Sequence, residues 1–359
     1  MKILQIGVEK SGNYWLYNNL DKTAKAAGLP WRRYARSHPI YPLHQTWPDL
    51  SFPDQPDIDF LNITPDKVFY YIPLIFFWPI EDLDDFAAKT THAWTHSNWF
   101  GPTSAAVFER FDKVVYIIRD PRDVLLSFCH FQFMPFVQRY SMVDLSEDPI
   151  SYLDKAWLLR TQYWITHVSQ HLAQRERFNI HFVCYERLRY DFQSEYRRLL
   201  DYLEISLSDA QIDQIADDVS VRTMKAASPA HVRSGKSGGW SESLSDTMKA
   251  DITDMAEPLL ELLGYPLDDA PRDWSDPSSL PRVPDQIDNE ALAEITEEAL
   301  EVPIDYAISQ TVEQARWFAN IPAIRGGGVL GREVDKLVAS LEAFAELTRA
   351  ESDLEEGVE

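Results

Sequence analysis

Two stretches of the 359-residue chain hold residue types that could bind and activate a phosphate ester. The first is Gly7-Val8-Glu9-Lys10-Ser11-Gly12-Asn13-Tyr14-Trp15, placed between the apolar run Ile3–Ile6 and an amphipathic segment. A glycine-containing loop from strand to helix aims backbone N–H groups and the helix dipole at an anion. Lys10 adds a point charge there. The loop does not read GxxxxGK(S/T), which argues against a kinase of the Walker type. The second stretch runs from Tyr116-Ile117-Ile118-Arg119-Asp120-Pro121-Arg122-Asp123 to Ser127. Arg119 leaves the end of an apolar run and Ser127 follows eight residues later. Parallel sheets bind ligands outside the carboxyl ends of their strands, so this pair could hold a second phosphate. A plainer reading stays open for each: a corner lysine in the first, and in the second an Arg119–Asp120 surface ion pair, worth little.

Placing these groups together takes alternating strands and helices. Ile3–Gly7 reads as a strand and Tyr14–Ala27 as a helix stopped by Gly28 and Pro30. Lys67–Ile72 is β-rich, Thr91–Ser97 is a short strand, and Ser104–Phe111 is a short helix. Lys113–Ile118 is apolar throughout, as in a parallel strand buried on both faces. A helix starts near Asp123, a long one covers Ile150–Gln174, Asn179–Tyr185 is another strand, and helices fill Ser194–Leu263. The alternation predicts an α/β fold with a central, mostly parallel sheet flanked by helices. It also suggests three parts: a body over 1–265, a Pro-, Asp- and Ser-rich linker over 266–289, and an acidic helical C-terminal extension over 290–359. In that extension Val334, Leu337, Leu341, Phe344 and Leu347 form one helical stripe. The stripe must pack on the body or pair with a second chain, making a homo-oligomer.

The chain has 34 basic and 57 acidic residues, a net charge of −23. Residues 270–359 alone carry 7 basic and 20 acidic residues. So acidic a surface repels a nucleic-acid backbone and argues against such a partner. The longest apolar stretch, Val68–Ile80, is too short for a membrane span and is broken by Pro73 and Pro79. Two cysteines, Cys129 and Cys184, build no disulfide framework. With no signal-peptide pattern at the N-terminus, a cytoplasmic setting is expected.

Taken together, the two stretches resemble the sulfotransferases of the soluble, cytosolic type that use 3′-phosphoadenosine-5′-phosphosulfate (PAPS). The likeness covers about residues 1–265. The family's loop pattern, PKSGTTW, is similar to Glu9 through Trp15, and its YxxRDPRDVxxSxxHF pattern to Tyr116 through Phe131. Its RKGxxGxW segment resembles Arg233-Ser234-Gly235-Lys236-Ser237-Gly238-Gly239-Trp240, with Ser234 where lysine is usual.

The resemblance implies a P-loop-like sulfotransferase fold, PAPS as sulfuryl donor and no metal. It implies that Lys10, Ser11, Gly12, Asn13, Tyr14 and Trp15 hold the 5′-phosphosulfate end, with Lys10 also catalytic. Arg119, Ser127, Arg233, Ser234 and Gly235 would hold the 3′-phosphate, and Trp15, Tyr185 and Ser220 the adenine side. The family's KTH pattern, about twenty residues before the Tyr116 strand, points to His96 as general base, with His92 as the alternative. Trp94 stands where that pattern has lysine. The acceptor would be a small molecule with a hydroxyl or amine. Phe69 to Trp78 suggest a hydrophobic or phenolic one, unless they pack the core. Arg32, Arg33, Arg36, His38 and His44 could meet an anionic one, unless they form a solvated loop. A non-catalytic nucleotide-binding protein on the same fold remains open, since Trp94 and Ser234 each replace a motif lysine.

Overall fold

The computed structural model describes residues 1–141, 148–270, 272–300, 336, 338–340 and 343. The chain divides into two compact units, residues 1–297 and 298–359. The stripe from Val334 to Leu347 lies outside the described residues.

Seven strands form one sheet: β1 (Ile3–Ile6), β2 (Asp59–Ile63), β3 (Val68–Ile72), β4 (Phe76–Pro79), β5 (His92–Thr95), β6 (Lys113–Ile118) and β7 (Ile180–Cys184). Their order is β4-β3-β2-β5-β1-β6-β7. The five strands from β2 to β7 are parallel, and β3 and β4 add an antiparallel edge. This is the mostly parallel sheet expected from the sequence. β2 and β4 escape sequence reading because prolines and acidic residues surround them, and each is only four or five residues long. Among the described residues no helix is long and apolar enough to cross a membrane.

The period-two alternation of β6 explains its uniform apolar character. Val115 and Ile117 face one layer, with Leu16 and Leu20 of the helix Asn13–Ala26 and Leu199 and Leu203 of the helix Phe192–Leu203. Tyr116 faces the other, where His167 and His171 of the long helix Pro149–Ala173 surround its ring. Both faces are covered, as parallel strands require.

The stretch read as a linker, 266–289, falls within the first unit and packs on the rest of it at several points. Leu280 is buried, Arg187 donates to the carbonyls of Leu280 and Pro281, and Trp274 stacks on Tyr190 at 5.7 Å.

Candidate active site

β1 ends beneath a loop whose backbone few residues tolerate. Lys10 has φ 71° and Gly12 has φ 97°, both left-handed. A Cβ on Gly12 would lie 2.5 Å from the Tyr185 ring, so both space and φ demand glycine. The Asn13 side chain donates to the Val8 carbonyl at 2.7 Å, and Gln5 donates to the Asn13 carbonyl at 2.8 Å, fixing the loop from below. The helix Asn13–Ala26 then begins with no side-chain cap and no acidic residue in its first turn. Its N-terminal N–H groups and positive dipole end are thus left for an anion.

β6 delivers Arg119, and here the plainer sequence reading fails. Asp120 is buried rather than exposed, pairs with Arg122 at 2.8 Å and caps the helix Pro121–Gln132. Arg122 in turn donates to the Pro266 carbonyl and lies over the Trp240 ring. Asp123 accepts from the backbone N–H groups of Gly238 at 2.7 Å and Trp240 at 3.3 Å. These contacts tie the glycine-rich segment 233–240 to the end of the sheet. Arg119 is therefore free of Asp120. It donates to the carbonyls of Lys10 and Lys236, and its plane lies 4.3 Å from the Tyr185 ring centre. Among the described residues its buried Nε has no partner, and neither does the buried Ser11 hydroxyl. Such orphaned donors are costly unless an anion accepts from them.

One cleft of about 480 Å³ gathers these groups. Lys10, Gly12, Asn13, Tyr14, Trp15, His96, Arg119, Ser127, Tyr185, Arg233, Ser234 and Gly235 all line it. Ser11 lies beneath the wall, buried, and Ser220 caps the helix Val221–Ala227 through the Thr223 N–H instead of lining the cleft. The sheet order divides the walls. On the β6–β7 side stand Arg119, Ser127, Tyr185 and the loop 233–235; on the β5–β2–β3 side stand Trp94, Phe60, Tyr71, Leu74 and Phe77. Phe77 and Leu74 are exposed while Tyr70 is fully buried, so the aromatic run splits between cleft wall and core. The basic run does not reach this cleft. Arg33 pairs with Asp21, Arg36 with Asp57, and His38 packs on Tyr70.

The two histidine candidates separate clearly. His92 is buried outside the cleft, bonded to Gln5 at 3.1 Å and stacked on Tyr17. His96 stands on the cleft wall just beyond β5. Its Nδ1 lies 2.5 Å from the Gly7 carbonyl, which can only accept, so Nδ1 carries the proton and Nε2 keeps a lone pair. Its main-chain carbonyl accepts from Tyr163 and from His167 Nε2, which fixes its position. Burial, with the nearby Lys10 ammonium, lowers its pKa, against opposing contributions from Glu9 and the Gly7 bond. It is neutral at pH 7 and able to accept a proton. Burial and the Arg119 charge lower Lys10 to about 7. Its ammonium lies 4.1 Å over the Phe131 ring. An anion beside it would restore the charge.

Some lining residues gave no usable signal in the sequence. Ser51, Phe52 and Gln55 lie in an irregular Pro- and Asp-rich stretch. His231, 2.8 Å from the Ser51 hydroxyl, sits two residues before Arg233, and that adjacency is the only hint available.

The sulfotransferase domain model matches residues 1–264. An amine sulfotransferase of Oryctolagus cuniculus is 30% identical over 113 residues, covering 32% of this chain and 36% of that protein. The luciferin sulfotransferase of Photinus pyralis is 28% identical over 121 residues, covering 32% and 30%. The chain thus spans about a third of the length of these curated relatives. A crystal structure of a mouse sulfotransferase complexed with PAP aligns with TM-score 0.48 at 17% identity, covering 72% of this chain and 83% of that one.

Proposed function

Because the chain belongs to the sulfotransferase domain family, we propose that it transfers a sulfuryl group from PAPS to a hydroxyl or amine of a small molecule. The observation that carries this reading is the convergence of Lys10, His96, Arg119 and Ser127 on one cleft at the carboxyl ends of three adjacent parallel strands. The residues fit an anionic nucleotide: the Arg119 Nε, unpartnered among the described residues, the uncapped helix, and a Gly12 that leaves room beside Tyr185.

When bound, PAPS supplies an electrophilic sulfur and a bisphosphate leaving group. Lys10 and the N–H groups of the Ser11–Trp15 loop bind the 5′-phosphate end and stabilise charge that grows on the leaving oxygen. Arg119, Ser127 and the loop 233–235 bind the 3′-phosphate, and Trp15 and Tyr185, in edge contact with ring centres 5.4 Å apart, form one apolar corner against which the base packs. His96 Nε2 takes the acceptor's proton as the new bond to sulfur forms. No residue in this scheme calls for a metal. Unpaired, buried Cys129 and Cys184 fit a reducing, cytoplasmic setting. The body over 1–265 would carry the chemistry, and the extension from 290 onward a separate role, pairing of two chains among them.

A non-catalytic nucleotide-binding protein is the second reading, favoured by Trp94 and Ser234. The free Nε2 of His96 in the cleft favours catalysis. Incubation with isotopically labelled PAPS and a broad acceptor panel, followed by mass spectrometry, separates the two. Transfer of the label to an acceptor supports the enzyme. Bisphosphate binding with no transfer to any acceptor supports the second reading.

A further inference from the structure

Glu9 precedes Lys10 in the loop and stands half-buried on the wall of the cleft. The family pattern has proline at this position. Among the described residues its carboxylate has neither a hydrogen bond nor an ion pair. The adjacent Lys10 ammonium lies over Phe131 instead. A half-buried carboxylate without a partner on a cleft wall is open to a ligand that brings the counter-charge.

The surroundings state what kind of ligand that is. Glu9 lies close enough to the chemical centre for its charge to raise the basicity of both His96 and Lys10, and it also acts on Tyr71 and Tyr163. Phe60, Tyr71, Phe77 and Trp94 line the same side of the cleft as His96. Aromatic faces attract cations. The position two before His96, lysine in the family pattern, is Trp94, so this wall has lost a positive charge while the loop has gained a negative one. The cations Arg119 and Arg233 line the opposite, β6–β7 side, and the Arg160 guanidinium lies 3.7 Å over Phe128. The net charge of −23 draws small cations toward the protein as a whole.

From this juxtaposition we propose that Glu9 selects the acceptor: an aromatic or apolar molecule carrying a positively charged amine, whose ammonium donates to the Glu9 carboxylate while its hydroxyl faces His96 Nε2. The inference rests on the sulfuryl-transfer reading above. A neutral acceptor of the same shape leaves the Glu9 carboxylate unsatisfied and binds less well. No proton moves between Glu9 and the ammonium. The single proton released in the reaction comes from the hydroxyl and goes to His96.

Calorimetry on the full chain tests this in two steps. Adenosine 3′,5′-bisphosphate is titrated first. The saturated complex is then titrated with tyramine and with 4-ethylphenol, its neutral analogue, in wild type, Glu9→Gln and Glu9→Asp. The proposal expects tyramine to bind at least about tenfold more tightly in wild type, the size of one charge-assisted hydrogen bond. The preference should fall below about twofold in Glu9→Gln and be partly kept in Glu9→Asp. Equal binding in wild type, tighter binding of 4-ethylphenol, binding of neither, or a preference that survives Glu9→Gln overturns it. Failure of the first titration instead overturns the sulfuryl-transfer reading, and this proposal with it.

Discussion

On the β6–β7 side of the cleft, Arg119, Asp123 and the loop 233–240 hold one another through backbone groups. Arg119 donates to two carbonyls and Asp123 accepts from two N–H groups. On the β5–β3 side the wall is made of rings and aliphatic chains. It ends at the antiparallel edge, where Leu74 takes a left-handed φ of 61° and Phe77 is 56% exposed. Hydrogen bonds to fixed backbone groups tolerate little displacement, whereas apolar contacts are non-directional. The first wall is suited to one invariant ligand. The second can change its ligand by exchanging side chains, at little cost to the rest of the fold.

That contrast can be broken at its centre, where His96 joins the two walls. His96→Ala should lower turnover by about 10²–10⁴-fold, the usual contribution of a general base, while bisphosphate affinity stays nearly constant. His92→Ala should do the reverse. Loss of a buried ring stacked on Tyr17 should cost about 1–3 kcal/mol of stability, read by denaturant unfolding, with turnover of the folded fraction retained. A dead His92→Ala beside an active His96→Ala would move the base into the core and discredit the geometry above.

Lys10 sharpens the contrast through pH. Its pKa of about 7 in the free protein should rise when a phosphate sits beside it. Below pH 7 the lysine is already charged and its own contribution to affinity is flat. Above pH 7 binding must take up a proton, so affinity falls by up to about tenfold per unit until the raised pKa is reached. Calorimetry at pH 8 in two buffers of different ionisation enthalpy should show proton uptake for the bisphosphate. Titration of a neutral acceptor into the saturated complex should show none.

The smallest effect belongs to the edge turn. Leu74→Gly removes an apolar group from the cleft wall and relieves a left-handed φ that costs a side-chain-bearing residue about 1 kcal/mol. Acceptor KM should rise a few-fold, bisphosphate affinity should not change, and the thermal midpoint should hold or rise. A fall in bisphosphate affinity would show that the walls are not independent.

Legibility from sequence followed the same division. β6 was readable to the residue because burial on both faces leaves an unbroken apolar run, and the Arg119–Asp123 stretch because each of its residues has a separate structural duty. Ser220 sits between Val219 and Val221, which line the cleft, while its own side chain caps a helix, a local role that a distant motif match does not reveal. The β5–β3 wall was hardest to read. Its residues come from β2, β3, β5 and a short irregular segment, and only the sheet order brings Phe52, Phe60 and Trp94 together. The significance of Glu9 needed the cleft itself, since the sequence offers no sign that a loop carboxylate lacks a partner.

The central claim is that the β6–β7 wall recognises a 3′-phosphate in addition to the 5′-phosphate held by the Lys10 loop. Parallel calorimetric titrations of adenosine 3′,5′-bisphosphate and AMP into wild type and Ser127→Ala measure this directly. The account predicts that wild type binds the bisphosphate at least about tenfold more tightly than AMP, from charge-assisted hydrogen bonds of about 1.5–3 kcal/mol each. It also predicts that Ser127→Ala loses much of that margin while its affinity for AMP is unchanged. Equal binding of the two nucleotides by wild type would contradict it.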